Sequence, residues 1–473
     1  MMHWMLISPE LYYLTAAFWL LVACMTGPPK PKRDYFTALS LSAVGVIISL
    51  ASVTLQGILF SQTYRIDLFA QVFKVMLASG LFLVVCICTE LNGIRERYQR
   101  ELYLLLFVCT LAMMMLVSSV HLLNIYISLE LSSYSLYILV ALRKQRDMGL
   151  EAGIKYFLIG IFASALMLFG IAMLYGATRV SHIEDLIQVL PGLVDNPAVI
   201  IGLLLTLSGF FFKLAVFPFH LWAPDVYQGA SNQVTAYIAT ASKVAAIAIL
   251  LRLIALTGDG SVYLVHVMVV LSIISMTIGN LAALVEQDLK RLLAYSTIAH
   301  AGYVLIGILS MNDAGYSGAV FYALSLLVMK FAAFLVVVQV AGDGRNLRIE
   351  QLAGLHRRSP VLALTLMISA FSLAGIPPTI GFTGKFLVFA AAMQRGYFTL
   401  VLIAMINVVI SLYYYLLVIR AAYLLEPREE PADVRISPAL KSLSIAMTCL
   451  MVVGGIFPHY LIELARAAVR GLM

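Results

Sequence analysis
The stretch from Leu205 to Ala246 constrains this chain more than any other. It is apolar enough to lie in a bilayer, yet Lys213 sits in one hydrophobic segment and Lys243 in the next, with a helix-breaking run from Pro218 to Gly229 between them. An ionisable group at membrane depth costs about 3 kcal/mol on insertion scales, so it marks a functional site by default. That the setting is a membrane follows from composition. Of 473 residues, 62% are hydrophobic and 12% charged, against about 25% charged in a soluble domain; mean hydropathy is +0.97. Such a chain cannot show water a polar surface on all sides. We expect an all-α polytopic membrane protein whose helices face lipid and one another. The net charge of +7 does not point to nucleic acid, because the basic residues lie in short loops between apolar segments.

A span needs about 20 apolar residues. On that template we expect fourteen spans: 9–27, 36–56, 69–89, 102–119, 121–142, 152–177, 197–220, 229–256, 262–284, 291–310, 315–341, 359–391, 397–425 and 437–462. The first reads as a retained span, not a signal peptide. The twelfth is interrupted by Gly375, Pro377, Pro378, Gly381 and Gly384. Residues 178–196 read as a turn or two of surface helix. Alternate loops collect basic residues: Lys30, Lys32 and Arg33; Arg95, Arg97 and Arg100; Arg143, Lys144 and Arg146; Lys290 and Arg291; Arg345, Arg348, Arg357 and Arg358; Arg428, Arg435 and Lys441. The other side has only Arg65, Arg179, Arg252, Arg395, Arg466 and Arg470. This excess puts the first set in the cytoplasm and both termini outside.

Six lysines remain at or inside spans: Lys74, Lys155, Lys213, Lys243, Lys330 and Lys385. Lys74, near a span end, is expected to snorkel to the interface, and Lys155 to stay near the cytoplasmic face. Lys213, Lys243, Lys330 and Lys385 lie too deep for that. The octapeptide FFFKLAVF around Lys213 recurs as FTGKFLVF around Lys385, 172 residues later, and residues 155–176 parallel 321–342. The fifth span, with Glu130, likewise parallels the tenth, with His300. Five spans separate the members of each pair, and an odd number forces opposite orientations. We therefore expect two inverted five-helix repeats, each with a broken helix, a pointer to an ion site near the midplane. The expected units are residues 1–101 (three helices), 102–256, 262–425 and the C-terminal helix of 437–473.

A break in a membrane helix frees backbone groups that lipid cannot satisfy, so it must face protein or water. Glu130 is the only carboxylate deep within an uninterrupted span, and we pair it with Lys213 as a proton switch: the carboxylate strengthens the lysine's hold on its proton, and separation releases it. His300 is either a relay group near pH 7 or a hydrogen-bonded packing residue. His220 and Asp225 flank the first break, as helix caps or as the lining of a water entry. Cys24, Cys86, Cys88, Cys109 and Cys449 lie in apolar runs and read as small hydrophobes, so no metal site is expected. No GxGxxG at a strand–helix junction, Walker motif, HExxH or GxSxG occurs, and no cofactor is expected in this chain.

Four segments carry a family resemblance: GIKYFLIGIFASALMLFGIAMLYG (153–176), FKLAVFPFHLWAPDVYQGA (212–230), DLKRLLAYSTIAHAGY (288–303) and SLAGIPPTIGFTGKF (372–386). The chain resembles, over nearly its whole length, the antiporter-like membrane subunits of respiratory NADH–quinone oxidoreductase (complex I) and their cation/proton antiporter relatives. The resemblance implies that Glu130, Lys213, Lys243 and Lys385 form a proton path along a hydrated axis, with His300 or Lys330 linking its halves. It also implies antiporter-like and small hydrophobic membrane subunits as partners, with NADH, FMN, iron–sulfur clusters and quinone held elsewhere in the complex, and the bacterial inner membrane as location. Gln228 and Ser231 depart from the Glu and Pro of many relatives. The rival reading is a subunit of a multisubunit Na⁺/H⁺ antiporter. A solute carrier is disfavoured because no substrate-sized polar cluster accompanies the lysines.

Overall fold
A computed structural model describes residues 3–193, 196–255, 262–342, 344–427, 434, 436–470 and 472. The chain runs through α1 (His3–Leu6), α2 (Ser8–Met25), α3 (Pro31–Ala51), a small antiparallel hairpin of β1 (Gly57–Leu59) and β2 (Tyr64–Ile66), α4 (Leu68–Cys86), α5 (Gln99–Ser118), α6 (Leu122–Ala141) and α7 (Arg146–Thr178). It continues through α8 (Ile183–Val189), α9 (Pro197–Leu214), α10 (Trp222–Gly229), α11 (Asn232–Ala239), α12 (Ala241–Ala255), α13 (Val262–Val285), α14 (Leu289–Leu309) and α15 (Asp313–Val340). It closes with α16 (Leu355–Arg358), α17 (Pro360–Ala374), α18 (Ile380–Gln394), α19 (Phe398–Leu424), α20 (Pro438–Ile456) and α21 (His459–Arg470).

Among the described residues, 13 helices are long and apolar enough to cross a membrane, taking α11 and α12 together; α17 and α18 are shorter apolar helices. Counted as the two halves of one interrupted crossing, α17 and α18 bring the number to the expected fourteen. Boundaries move in a few places. Helix α7 has 33 residues, about 50 Å at 1.5 Å per residue, longer than a hydrocarbon core of about 30 Å. Its first turns therefore lie beyond the core, which is why the Lys155 side chain is 45% exposed. The expected 229–256 span is split at Thr240, whose ψ of −88° departs from helical values and whose hydroxyl donates to Ala236 O at 2.6 Å. The last span stops at Ile456; after Pro458 the separate helix α21 buries Ala465, Ala468 and Val469 and packs on α15 and α4.

Two sets of loops gather at opposite ends, as alternation requires. At one end Lys144 N donates to Gly93 O, Leu289 N to Leu347 O, the Asn92 amide to Gly342 O and the Gln233 amide to Glu90 O. At the other, Val120 N donates to Thr63 O, Leu122 N to Ser181 O, and Arg65 pairs with Glu184. The first end holds the basic loops; Arg428 and Arg435 lie outside the described residues. Arg143 is buried there and donates to Gln228 O, Ala230 O and Asn346 Oδ1. At the second end Asp67 caps α4 through Ala70 N and takes both terminal nitrogens of Arg252 at 2.9 Å. Burial works to raise the Asp67 pKa, but Arg252, the Ala70 amide and Arg65 bring it below the usual value.

Lys74 corrects an expectation. It does not snorkel: it is fully buried, with Nζ 2.6 Å from Glu10 Oε1, while the Tyr64 hydroxyl donates to the same oxygen at 2.5 Å. As the seventh residue of α4, its side chain meets α2 and the hairpin before it can reach water. A carboxylate carried in on another helix balances its charge instead.

Candidate functional site
Helices α11, α12, α14 and α15 form the buried centre of the bundle, and they carry Lys243, His300 and Lys330. All six expected residues are withdrawn from solvent: Glu130, Lys213, Lys243, His300, Lys330 and Lys385 are each at most 7% exposed.

The first break follows α9. A helix leaves its last four carbonyls unpaired, and Ala215, at φ +63°, turns the chain out of the helix. Ala215 N and Val216 N return to Phe212 O and Phe211 O. Two side chains finish the end: Trp222 Nε1 donates to Phe212 O at 3.0 Å, and Lys243 Nζ to Lys213 O at 2.5 Å. Lys243 also lies 4.6 Å from the centre of the Trp222 ring, within cation–π range. Its ammonium is thus set between an aromatic face and the negative end of the α9 dipole.

Lys213 points the other way, donating to Ser132 Oγ at 2.6 Å and Ser133 Oγ at 3.0 Å on α6. Glu130, less than a turn earlier on α6, accepts from Ser164 of α7. The hypothesised Glu130–Lys213 pair is therefore not a direct contact; among the described residues the serine hydroxyls stand on the lysine side and Ser164 on the carboxylate side.

The second break follows α17. Gly375, at φ +87°, turns the chain, and a Cβ there would lie 2.9 Å from Lys385 Cδ. Lys385, on α18, reaches back across the break and donates to Leu373 O and Ala374 O, each at 2.9 Å, with Nζ 4.8 Å from the Tyr303 ring centre. The two lysines thus fall on opposite sides of their breaks. The lysines are 172 residues apart, whereas Ala215 and Gly375 are 160 apart, so the octapeptide match does not superimpose the interruptions.

Between the breaks lies a chain of side chains that sequence reasoning found only in part. Lys330 Nζ donates to Leu293 O at 3.0 Å and Ser296 Oγ at 2.6 Å. Ser296 Oγ is 2.5 Å from Tyr415 Oη, Tyr415 Oη is 3.4 Å from His300 Nε2, and His300 Nδ1 is 2.5 Å from Tyr322 Oη. A cavity of about 20 Å³ is lined by Lys243, Thr297, His300 and Lys330, room for about one water. Tyr322 packs so tightly on α18 that a Cβ at Gly384, beside Lys385, would lie 2.5 Å from its ring. The His300 ring is thus in contact with a hydroxyl on each nitrogen. Ser296, Tyr322, Tyr415 and Trp222 were missed; their only signal was a hydroxyl or indole N–H inside an apolar run.

Of the flanking residues, Asp225 pairs with Lys155 and Arg291, each at 2.8 Å, tying α10 to α7 and α14. The His220 ring is largely buried against Phe217. Lys155 also pairs with Glu151.

The chain is similar to known proteins over its whole length. The family described as NADH:quinone oxidoreductase/Mrp antiporter, transmembrane region, matches residues 119–411. NADH-quinone oxidoreductase subunit N 2 of Syntrophobacter fumaroxidans is 67% identical over 472 residues, covering 100% of both chains. A chain from respiratory complex I of Thermus thermophilus with bound Aureothin is 32% identical and superposes with a TM-score of 0.85, covering 97% of this chain and 99% of that one. A chain of the Mrp complex from Dietzia sp. DQ12-45-1b, 22% identical, shares the fold with a TM-score of 0.87 over 99% of this chain and 97% of its own.

Proposed function
The chain belongs to the membrane-subunit family of NADH:quinone oxidoreductases and Mrp antiporters, as a homologue of NADH-quinone oxidoreductase subunit N, and from that premise we propose that Glu130, Lys213, Lys243, Lys330, His300 and Lys385 carry protons through it. In this reading the chain works in the bacterial inner membrane beside other membrane subunits of the complex, and NADH, FMN, iron–sulfur clusters and quinone are handled by partner subunits. Residues 102–256 and 262–425 act as two inverted half-channels, each built around one break.

The observation that carries the reading is the continuous contact series Lys330–Ser296–Tyr415–His300–Tyr322. Hydroxyls and imidazole both donate and accept, so each member can take one proton and release another without net change. Glu130 lies on the same helix as the two serines that hold Lys213, and its negative charge favours the ammonium form. A shift imposed by a neighbouring subunit draws the carboxylate away, and the proton of Lys213 passes to Lys243. It crosses the small cavity to Lys330, runs along the hydroxyl–imidazole series and leaves by Lys385.

The test is Lys213→Ala in the assembled complex. Quinone-coupled proton pumping should fall to a small fraction of wild type while assembly is kept; wild-type pumping would remove Lys213 from the path. Flavin and iron–sulfur absorption should copurify with the chain. Copurification with small hydrophobic antiporter subunits alone would favour the antiporter reading, which the shared Mrp fold keeps as the second choice.

A further inference from the structure
The lysines of this bundle divide by what holds the ammonium. Lys74 and Lys155 touch carboxylates. Lys213, Lys243, Lys330 and Lys385 are held by carbonyl and hydroxyl oxygens. A further lysine falls in the second group, although its place in a basic loop had marked it only as an orientation signal. Lys290 is 0% exposed, and its Nζ donates to Ala230 O at 2.8 Å. Asp288, which caps α14, is engaged by the Lys290 and Arg291 amides and by the Gln228 side chain, while the buried Arg143 donates to the same Ala230 O at 3.2 Å.

The packing of α10 on α14 aligns Lys290 with the relay. Lys290 and Thr297, two turns apart on one face of α14, meet Ala230, the residue that ends α10, and Tyr227 in the last turn of α10. The Tyr227 hydroxyl donates to Thr297 Oγ1 at 3.4 Å, and Thr297 lines the small cavity shared by Lys243, His300 and Lys330. On the outer side, Ala230 is followed by Ser231 and Asn232, whose Oγ and Oδ1 are buried with no partner among the described residues. Asn232 lines a cavity of about 390 Å³ at the basic end, with Glu90, Asn92 and Gln233.

We propose that Lys290 is the loading residue through which protons enter the relay from the basic end, with Tyr227 and Thr297 as the hydroxyl bridge to the central cavity. The step is a proton transfer alone: an N–H bond of the Lys290 ammonium breaks, the hydroxyls each accept one proton and release one, and Lys243 or Lys330 receives it. The inference rests on the relay reading above.

Lys290→Arg decides between loading and mere capping of α10. Arginine keeps the positive charge and a donor for Ala230 O but does not deprotonate in proteins. We expect Lys290→Arg and Tyr227→Phe complexes, reconstituted in vesicles, to pump at least about tenfold more slowly, since positioned proton-transfer groups contribute on the order of 10²–10⁴. Tyr227→Phe removes one oxygen and keeps the ring, so it carries the test if the arginine does not assemble. Wild-type pumping by Tyr227→Phe, or by an assembled Lys290→Arg, overturns the proposal. Lys213→Ala is run beside them. If it stops pumping while the others pump normally, the loading role falls and the relay stands; if it also pumps normally, both fall.

Discussion
The two broken helices solve one problem with different partners. At the first, the ammonium on the open end comes from a different crossing: Lys243 of α12 holds Lys213 O of α9, and Trp222 of α10 holds Phe212 O. At the second, Lys385 caps Leu373 O and Ala374 O of the other half of its own crossing. A movement of α12 against α9 changes what the Lys243 ammonium touches. The second cap lies wholly within one interrupted crossing. The first cap thus joins two crossings, and the second joins the two halves of one.

The sharpest test of that contrast removes each cap. Lys385→Ala strips two carbonyls at once, and hydrogen bonds to charged groups are worth about 1.5–3 kcal/mol each. Lys243→Ala strips one, because Trp222 still holds Phe212 O. Both variants should lose pumping, but the Lys385→Ala complex should also show the larger drop in melting temperature. Equal stability losses would erase the distinction between a cap within one crossing and a cap between two.

A smaller effect is expected between the halves. Tyr415→Phe removes the hydroxyl that joins Ser296 to His300 and leaves both caps in place. Pumping should fall several-fold with the melting temperature within a few degrees of wild type, as for loss of a hydrogen bond worth about 1 kcal/mol. Unchanged pumping would mean that protons bypass His300, with Lys330 linking the halves by another route.

How much of this was legible follows from what each feature is made of. Crossings are long apolar runs, and glycine and proline announce the interruptions at Pro218 and Pro377. The break at Thr240 carries neither; it lies in a residue's ψ and a hydroxyl turned onto Ala236 O. Deep lysines stand out against apolar neighbours, which is why Lys213, Lys243, Lys330 and Lys385 could be read directly. Lys290 could not, because a lysine beside Asp288 and Arg291 looks like a loop charge until the fold buries it. Lys74 misled in the opposite sense, since its partner Glu10 comes from another helix 64 positions earlier. Ser296, Tyr322 and Tyr415 gave no periodic signal, for a serine hydroxyl in an apolar helix ordinarily bonds its own backbone and a tyrosine reads as an aromatic core residue.

The finest difference between the breaks is one methyl group. Ala215 adopts φ +63° where Gly375 adopts φ +87°, and a left-handed conformation costs an L-residue roughly 1–2 kcal/mol. Ala215→Gly should relieve that cost, offset in part by the greater freedom of glycine in the unfolded chain. The net gain should be under about 1 kcal/mol, with pumping retained. Gly375→Ala incurs the same backbone cost and adds a Cβ 2.9 Å from Lys385 Cδ, so it should lower both stability and pumping. Measuring the two melting shifts together tests whether glycine at the second break serves the lysine or only the turn. A Gly375→Ala complex that loses stability but pumps normally would assign it to the turn alone.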